Sequence, residues 1–390
     1  MADCPAVRAL APSLLFLAAC GPLTPPTPVL PQGLACEHIL IPPVSLSETL
    51  ATAVPGDCVI LPSGTYSGTF VLPEDVSLAA ADRATVILTD GDPVLTVRGG
   101  TRSVVQGLRI VAGAGGGIAI EPGPARLIGV AVSQSKKNAL TATCTQSDCA
   151  EREVVLTDCE LTQSAVGLRA RGARVRIEGG RIAEHAGKSL SAGSGVVASQ
   201  GASVTMQGVT VEGNENIGVL LDGAATRATL DACAVKNNLG RGIWAQGQAA
   251  DAGVITVSVT GGEVSGNSLV GIGALESAGL LVRQVLVRDT LAVRVPIDIA
   301  HAEDVGDGIG LFSGTTNATL EDITSRGNAR AQVIAHASGL NVKVLNPTMS
   351  GGRFRVVVQG GSAPLQVESR LVDDAGVELL VQAATIGLMP

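Results

Sequence analysis

Val204-Thr-Met-Gln-Gly-Val-Thr-Val-Glu-Gly-Asn214 returns as Ala228-Thr-Leu-Asp-Ala-Cys-Ala-Val-Lys-Asn-Asn238 and again as Val257-Ser-Val-Thr-Gly-Gly-Glu-Val-Ser-Gly-Asn267. Each copy is followed by a second short apolar piece: Ile217-Gly-Val-Leu-Leu221, Arg241-Gly-Ile-Trp-Ala245 and Val270-Gly-Ile-Gly-Ala274. With Val211 as the marker, the equivalent residues are Ile110, Val132, Leu161, Ile182, Val235, Val264, Val287, Ser325 and Met349, at intervals mostly of 21 to 29 residues. Periods of this size mean a solenoid, a propeller or an array.

The alternation inside one repeat separates these options. Positions equivalent to Val204, Met206, Val209, Val211, Val219 and Leu221 are nearly all apolar or small, whereas those at Thr205, Gln207 and Thr210 are largely polar or charged. Period-two alternation marks strands with one buried face. The phase slips by one residue at Gly208, as a bend between two strands requires. No helical run separates the repeats, which excludes leucine-rich and βαβ designs. Three short strands per coil with a Gly bend resemble the right-handed parallel β-helix repeats of the pectin-lyase-like superfamily, over residues 45 to 385. The expectation is an all-β solenoid of about 11–12 coils. At about 4.8 Å per coil the rod is on the order of 55 Å long.

Asn214, Asn238, Asn267 and Asn328 carry an amide at one repeated turn. Asn tolerates left-handed backbone and can hydrogen-bond the coils on either side. The resemblance makes this a structural ladder and not a site. Open ends of a solenoid need capping. The segment Leu46 to Val54 is the helical candidate for the N-terminal cap, with Ser45 or Ser47 at its start. The less regular segment from Leu365 to Gln382 is expected to close the other end.

Ahead of the repeats, Ala9 to Ala19 is an apolar run too short to span a bilayer but long enough for a signal-peptide core. It ends in Leu17-Ala18-Ala19-Cys20-Gly21, which resembles the bacterial lipobox, and by that resemblance Cys20 is lipidated. Pro22, Pro25, Pro26, Pro28 and Pro31 follow, a density that favours an extended polyproline II stalk. The expected organisation is a lipoprotein signal peptide (1–19), a lipidated Cys with a Pro-rich linker (20–35) and a β-helix domain (36–390). The chain is expected to be exported and lipid-anchored at the outer membrane or cell surface.

Export permits disulfides. Cys36 and Cys58 bracket the cap, where a bridge would tie the linker to the first coil. Cys144 and Cys149 lie in one insertion and suit a small loop staple. Cys159 and Cys233 share the inward position of Val209 but sit three coils apart, about 14 Å, too far to bridge. No His/Cys cluster has metal-ligand spacing.

Composition limits what the chain can bind. A net charge of −8 with no basic run excludes a nucleic-acid footprint. Aromatic residues make up only 2 % of the chain, which suits a narrow stacked interior. The superfamily's polysaccharide-cleaving members carry groups that are not evident here. The asparagine-threonine-aspartate and glycine-histidine-glycine signatures of the pectin-hydrolysing branch are absent. Arg294-Val-Pro296 resembles the arginine-proline motif of pectate lyases but lacks its second Arg.

The longest interval, between Val287 and Ser325, holds an insertion carrying Asp298, His301, Glu303, Asp304 and Asp307. Paired carboxylates there are the candidates for acid/base work on a glycosidic bond, with Asp298, His301, Asp304 and Asp307 as catalytic residues. Asp304 and Asp307 are the candidates for Ca²⁺, the one cofactor considered. Trp244, on the outward face of the third strand between Leu220 and Gly273 of adjacent coils, either stacks on a sugar or packs under a neighbouring loop.

Two readings follow. The first is a non-catalytic envelope module that binds polysaccharide or acts as a scaffold, its partners being the membrane through the anchor and a polysaccharide. The second is a polysaccharide lyase or glycoside hydrolase that uses an acidic loop at 298–307. Fold alone does not separate them. Capped ends make a monomer the expected state.

Overall fold

The structure, a computed structural model, describes residues 31, 33–42, 45–81, 85–145, 149–187, 189, 191–247, 255–276, 278–296, 302–313, 317–336, 341–359, 366–368 and 379–382. Cys20 and the signal segment lie outside these residues, as do Asp298, His301 and most of the C-terminal closing segment.

The chain winds into a parallel β-helix. One coil supplies Ser203–Gln207 to a first sheet, Thr210–Glu212 to a second and Val219–Asp222 to a third. Among the described residues the three sheets hold 14, 12 and 14 strands. The second sheet thus gives twelve complete coils, the upper end of the expected range. The ten marker residues from Ile110 to Met349 are direct register partners from coil to coil. All ten are buried. Each aliphatic member of that column contributes about 1.5–3 kcal/mol by leaving water. The three sheets face one another across so short a span that Val, Ile, Leu and Ala fill it. Phe70, beside the cap, is the one aromatic ring fully buried in the main core among the described residues.

The first and second sheets meet at a one-residue bend. Gly208 sits there with φ +63°, and its N–H donates to Asp231 O of the next coil. The second and third sheets meet at the Asn214 turn. Inside it, Asn214 Nδ2 donates to Asn238 Oδ1 (2.7 Å), and Asn238 Nδ2 donates to Asn267 Oδ1 (2.8 Å). The third sheet returns to the first through the variable turns.

Leu46–Thr52 forms the N-terminal cap helix, ending two residues before the expected Val54. Ser45 Oγ accepts from Glu48 N, and Leu46 and Leu50, four residues apart on one face, are buried. Ala53 is extended, and Pro55 follows, which the helix could not have accommodated. The Cys36–Cys58 and Cys144–Cys149 disulfides are formed, and Cys159 and Cys233 are buried free thiols. Burial pushes the Cys159 thiol up to about 11, so it stays protonated and unreactive. At the C-terminus, Gln366–Glu368 and Leu379–Gln382 continue the first and third sheets. Among the described residues no helix is long and apolar enough to cross a membrane.

Candidate functional site

The insertion expected to be a loop is, where described, a β-hairpin. Val293–Pro296 pairs antiparallel with the start of Ala302–Leu311, whose second half enters the third sheet beside Leu269–Leu275. This separates the acids. Asp304 stands opposite Arg294 on the projecting part, with the side chain 64 % exposed and an ion pair at 3.6 Å. Asp307, a candidate catalytic residue and Ca²⁺ ligand, is fully buried where the hairpin turns into the coil. Arg330 Nε donates to its Oδ1 at 2.8 Å, a second guanidinium N–H reaches Oδ2, and Arg330 also contacts Glu303 at 3.3 Å. Burial pushes the Asp307 carboxyl up, and the guanidinium opposes that shift. A carboxylate held in two charge-assisted hydrogen bonds is poorly placed to carry a proton to a substrate. Among the described residues no three His, Cys, Asp or Glu side chains converge on a possible metal position. Asp304 and Asp307 are paired with different guanidinium groups, Arg294 and Arg330. The other two candidates, Asp298 and His301, lie outside the described residues.

The outward face of the third sheet is a different environment. Thr141, Arg169, Val197, Leu220, Trp244 and Gly273 are register partners in successive coils, all pointing away from the core. Trp244 is outward, as the alternation requires, yet only 5 % exposed. Val166, Val197, Ile217 and Leu220 pack with it. The floor under the indole is Gly273, where a Cβ would lie 2.4 Å from Trp244 Cε3, so only glycine lets the ring lie flat. Phe312 lies 5.7 Å from the indole at 50°, over its own glycine, Gly310. Trp244 Nε1 donates to Gln246 Oε1 (2.9 Å), and Gln246 donates to Asp222 Oδ1 (3.1 Å), which fixes the ring edge. Over the indole lies the Arg241 guanidinium, 4.2 Å from the ring centroid.

Three coils below Trp244, about 14 Å along the axis, Arg169 is half-buried. It donates to Asn138 Oδ1 (3.3 Å) and Ser191 Oγ (3.2 Å), both neutral. Burial, and the neighbouring Arg171, lower the Arg169 pKa. Burial does the same to Arg241. Sequence reasoning singled out Trp244 but missed Arg241, Phe312 and Arg169. Arg241-Gly-Ile-Trp244 does place an Arg just before the strand, but nothing in the repeat says that its side chain folds back over the sheet.

The family described as "Right handed beta helix region" matches residues 116–287. Among curated proteins none matches the sequence. Among solved structures, the A-module of the Azotobacter vinelandii mannuronan C-5 epimerase AlgE4 is similar, at 12 % identity over 82 % of this chain and 94 % of that one, with a TM-score of 0.53. The AlgE6 A-module of the same organism gives 15 % identity over 82 % and 94 %, with a TM-score of 0.48. A polygalacturonase from Erwinia carotovora ssp. carotovora gives 14 % identity over 92 % and 99 %, with a TM-score of 0.40. At these identities the likeness speaks to the fold, which is that of a right-handed parallel β-helix.

Proposed function

We propose that this right-handed parallel β-helix of the pectin-lyase-like superfamily is an exported, lipid-anchored envelope protein that binds polysaccharide on the outer face of its third sheet without cleaving it. The observation that carries the reading is the contrast between that face and the acidic hairpin. Beneath Arg241 the face holds an aromatic platform, two rings laid on glycines, which with the guanidinium makes a set suited to the apolar faces and hydroxyls of sugars once the ring is uncovered. On the hairpin, the three described acids, Glu303, Asp304 and Asp307, are all taken up in ion pairs. The Cys20 lipobox and the Pro-rich stalk support the address. Radiolabelled palmitate is expected to enter the wild-type protein but not Cys20→Ala, and equal labelling would end that part of the reading.

A second reading, a carbohydrate-active enzyme, draws on Asp304, which stands exposed beside Arg294, and on Asp298 and His301, which lie close to it in the sequence. One experiment separates the two. The full chain is incubated with a panel of acidic and neutral polysaccharides, with and without Ca²⁺, and both retention and chain length are measured. Retention with unchanged length and unchanged sugar composition is the expected result. Shortened or epimerised chains would replace the binding reading with the enzymatic one.

A further inference from the structure

Arg241 is the only buried charged side chain among the described residues that has no opposite charge beside it. Asp57 has His38, and Asp307 and Arg330 have each other. Arg241 is 9 % exposed, its Nε has no acceptor, and its one close neighbour of note is the indole it covers. A guanidinium taken out of water without a counter-charge is costly, and a cation–π contact returns only part of that cost. Arg169, on the same face, also has only neutral acceptors.

We propose that Arg241 is the receptor for an oxyanion carried on a sugar, a carboxylate or a sulfate, and that binding draws the guanidinium off Trp244 so that the uncovered indole stacks on the sugar ring. The proposal rests on the polysaccharide-binding reading above and sharpens it to an anionic chain. The planar guanidinium supplies the fork that a carboxylate or sulfate accepts in two parallel hydrogen bonds. The indole, held flat by Gly273 and fixed at its edge by Gln246, is already oriented for the sugar face. Arg169, three coils away, meets a second anion of the same chain, so the ligand runs along the axis of the rod. In the free protein the Arg241–Trp244 contact acts as a lid that a neutral glycan has no means to lift.

Trp244 is the chain's only tryptophan, so its fluorescence reports this one place. The full chain is titrated with polygalacturonate, its methyl ester, dextran sulfate, unmodified dextran and sodium sulfate, while emission and retention are followed together. The expected result is an emission change with polygalacturonate, dextran sulfate or both. The methyl ester and dextran should be at least tenfold weaker, and the response to the anionic chain should be at least tenfold weaker in Arg241→Gln. Whichever anionic chain acts at lower concentration names the oxyanion. Arg241→Gln removes an unpaired buried charge, so its thermal midpoint should not fall, and lost binding would not be lost folding. Equal binding of acid and ester, or full binding by Arg241→Gln, would overturn the anion receptor while leaving polysaccharide binding intact. So would retention with unchanged emission. An equal response to sodium sulfate per anion would overturn the sugar part. No retention of any chain would overturn both this proposal and the function it rests on.

Discussion

The turn between the second and third sheets is built in two ways along the same rod. From Ser135 through Ser164, His185, Asn214 and Asn238 to Asn267, each coil hands a neutral hydrogen bond to the next at the same position, and all six residues are buried. One coil later the column continues differently. Thr290 N donates to Asn328 Oδ1, while Thr290 Oγ1 is buried without a partner, and Asn328 turns its amide inward to Ser325 and Gln332. In that same region the hairpin is inserted between Val287 and Ser325, and the buried Asp307–Arg330 pair, with Glu303 beside it, lies where the hairpin joins the third sheet. A stacked polar rung needs a side chain that reaches the backbone N–H one coil away, and Thr290 is the residue here whose hydroxyl makes no such bond. Where the inserted hairpin joins the coil, a buried ion pair stands beside the turn instead. The neutral run should be indifferent to salt, and the ion-paired coil should fail when one partner is removed.

Asp307→Ala is therefore expected to have the largest effect. It leaves Arg330, with a side chain 6 % exposed, facing only the partly exposed Glu303. Removing one partner of a buried pair typically costs about 3–5 kcal/mol, and denaturant unfolding would read it directly. Replacing both by Leu removes the charge altogether and should recover most of that loss. If the single variant lost less than about 1 kcal/mol, the pair would be solvated and the contrast between the two regions would collapse.

These two regions also differ in how far they can be read from sequence. The marker column was visible because inward positions are filled by interchangeable aliphatics at a fixed phase, and even Ser325 keeps its place in the register. The bend at Gly208 was visible because it is glycine. Its equivalents Asp158, Ala232, Gln284 and Asp322 adopt the same left-handed φ, between 50° and 55°, without a residue that announces it. Asn214, Asn238 and Asn267 were legible as a ladder, but Ser135, Ser164 and His185 were not, since the position asks only for a compact polar group. The hairpin was read as a loop because Val293–Pro296 and the start of Ala302–Leu311 pair outside the repeat, where no periodicity exists to reveal them. Cation and ring positions on the outer face depend on how side chains fold back over the sheet. The two disulfides needed only the coil geometry and were therefore within reach.

His185 gives the ladder one titratable rung, and here the neutral run should show a pH dependence of its own. The ring is buried in place of an asparagine, and Ser164 N donates to its Nδ1 (3.1 Å). The His185 backbone N–H donates to Asn214 Oδ1 (3.2 Å), while the ring Nε2 has no partner and faces Gly167, where a Cβ would lie 2.5 Å away. Burial is the main cause that lowers its pKa from 6.5 to about 4. The sign follows from which state takes the proton first. On acidification the unfolded chain protonates near pH 6.5, and the folded protein resists until about pH 4. Stability is thus full above pH 6.5, falls across that window and levels off below it. The fall from 6.5 to about 4 corresponds to roughly 3 kcal/mol. Denaturant midpoints across the window should show this fall in the wild type, and His185→Asn, which restores the residue used in the next three coils, should flatten it. An unchanged slope in that variant would mean that the acid sensitivity lies elsewhere, with the ion-paired coil the next place to look.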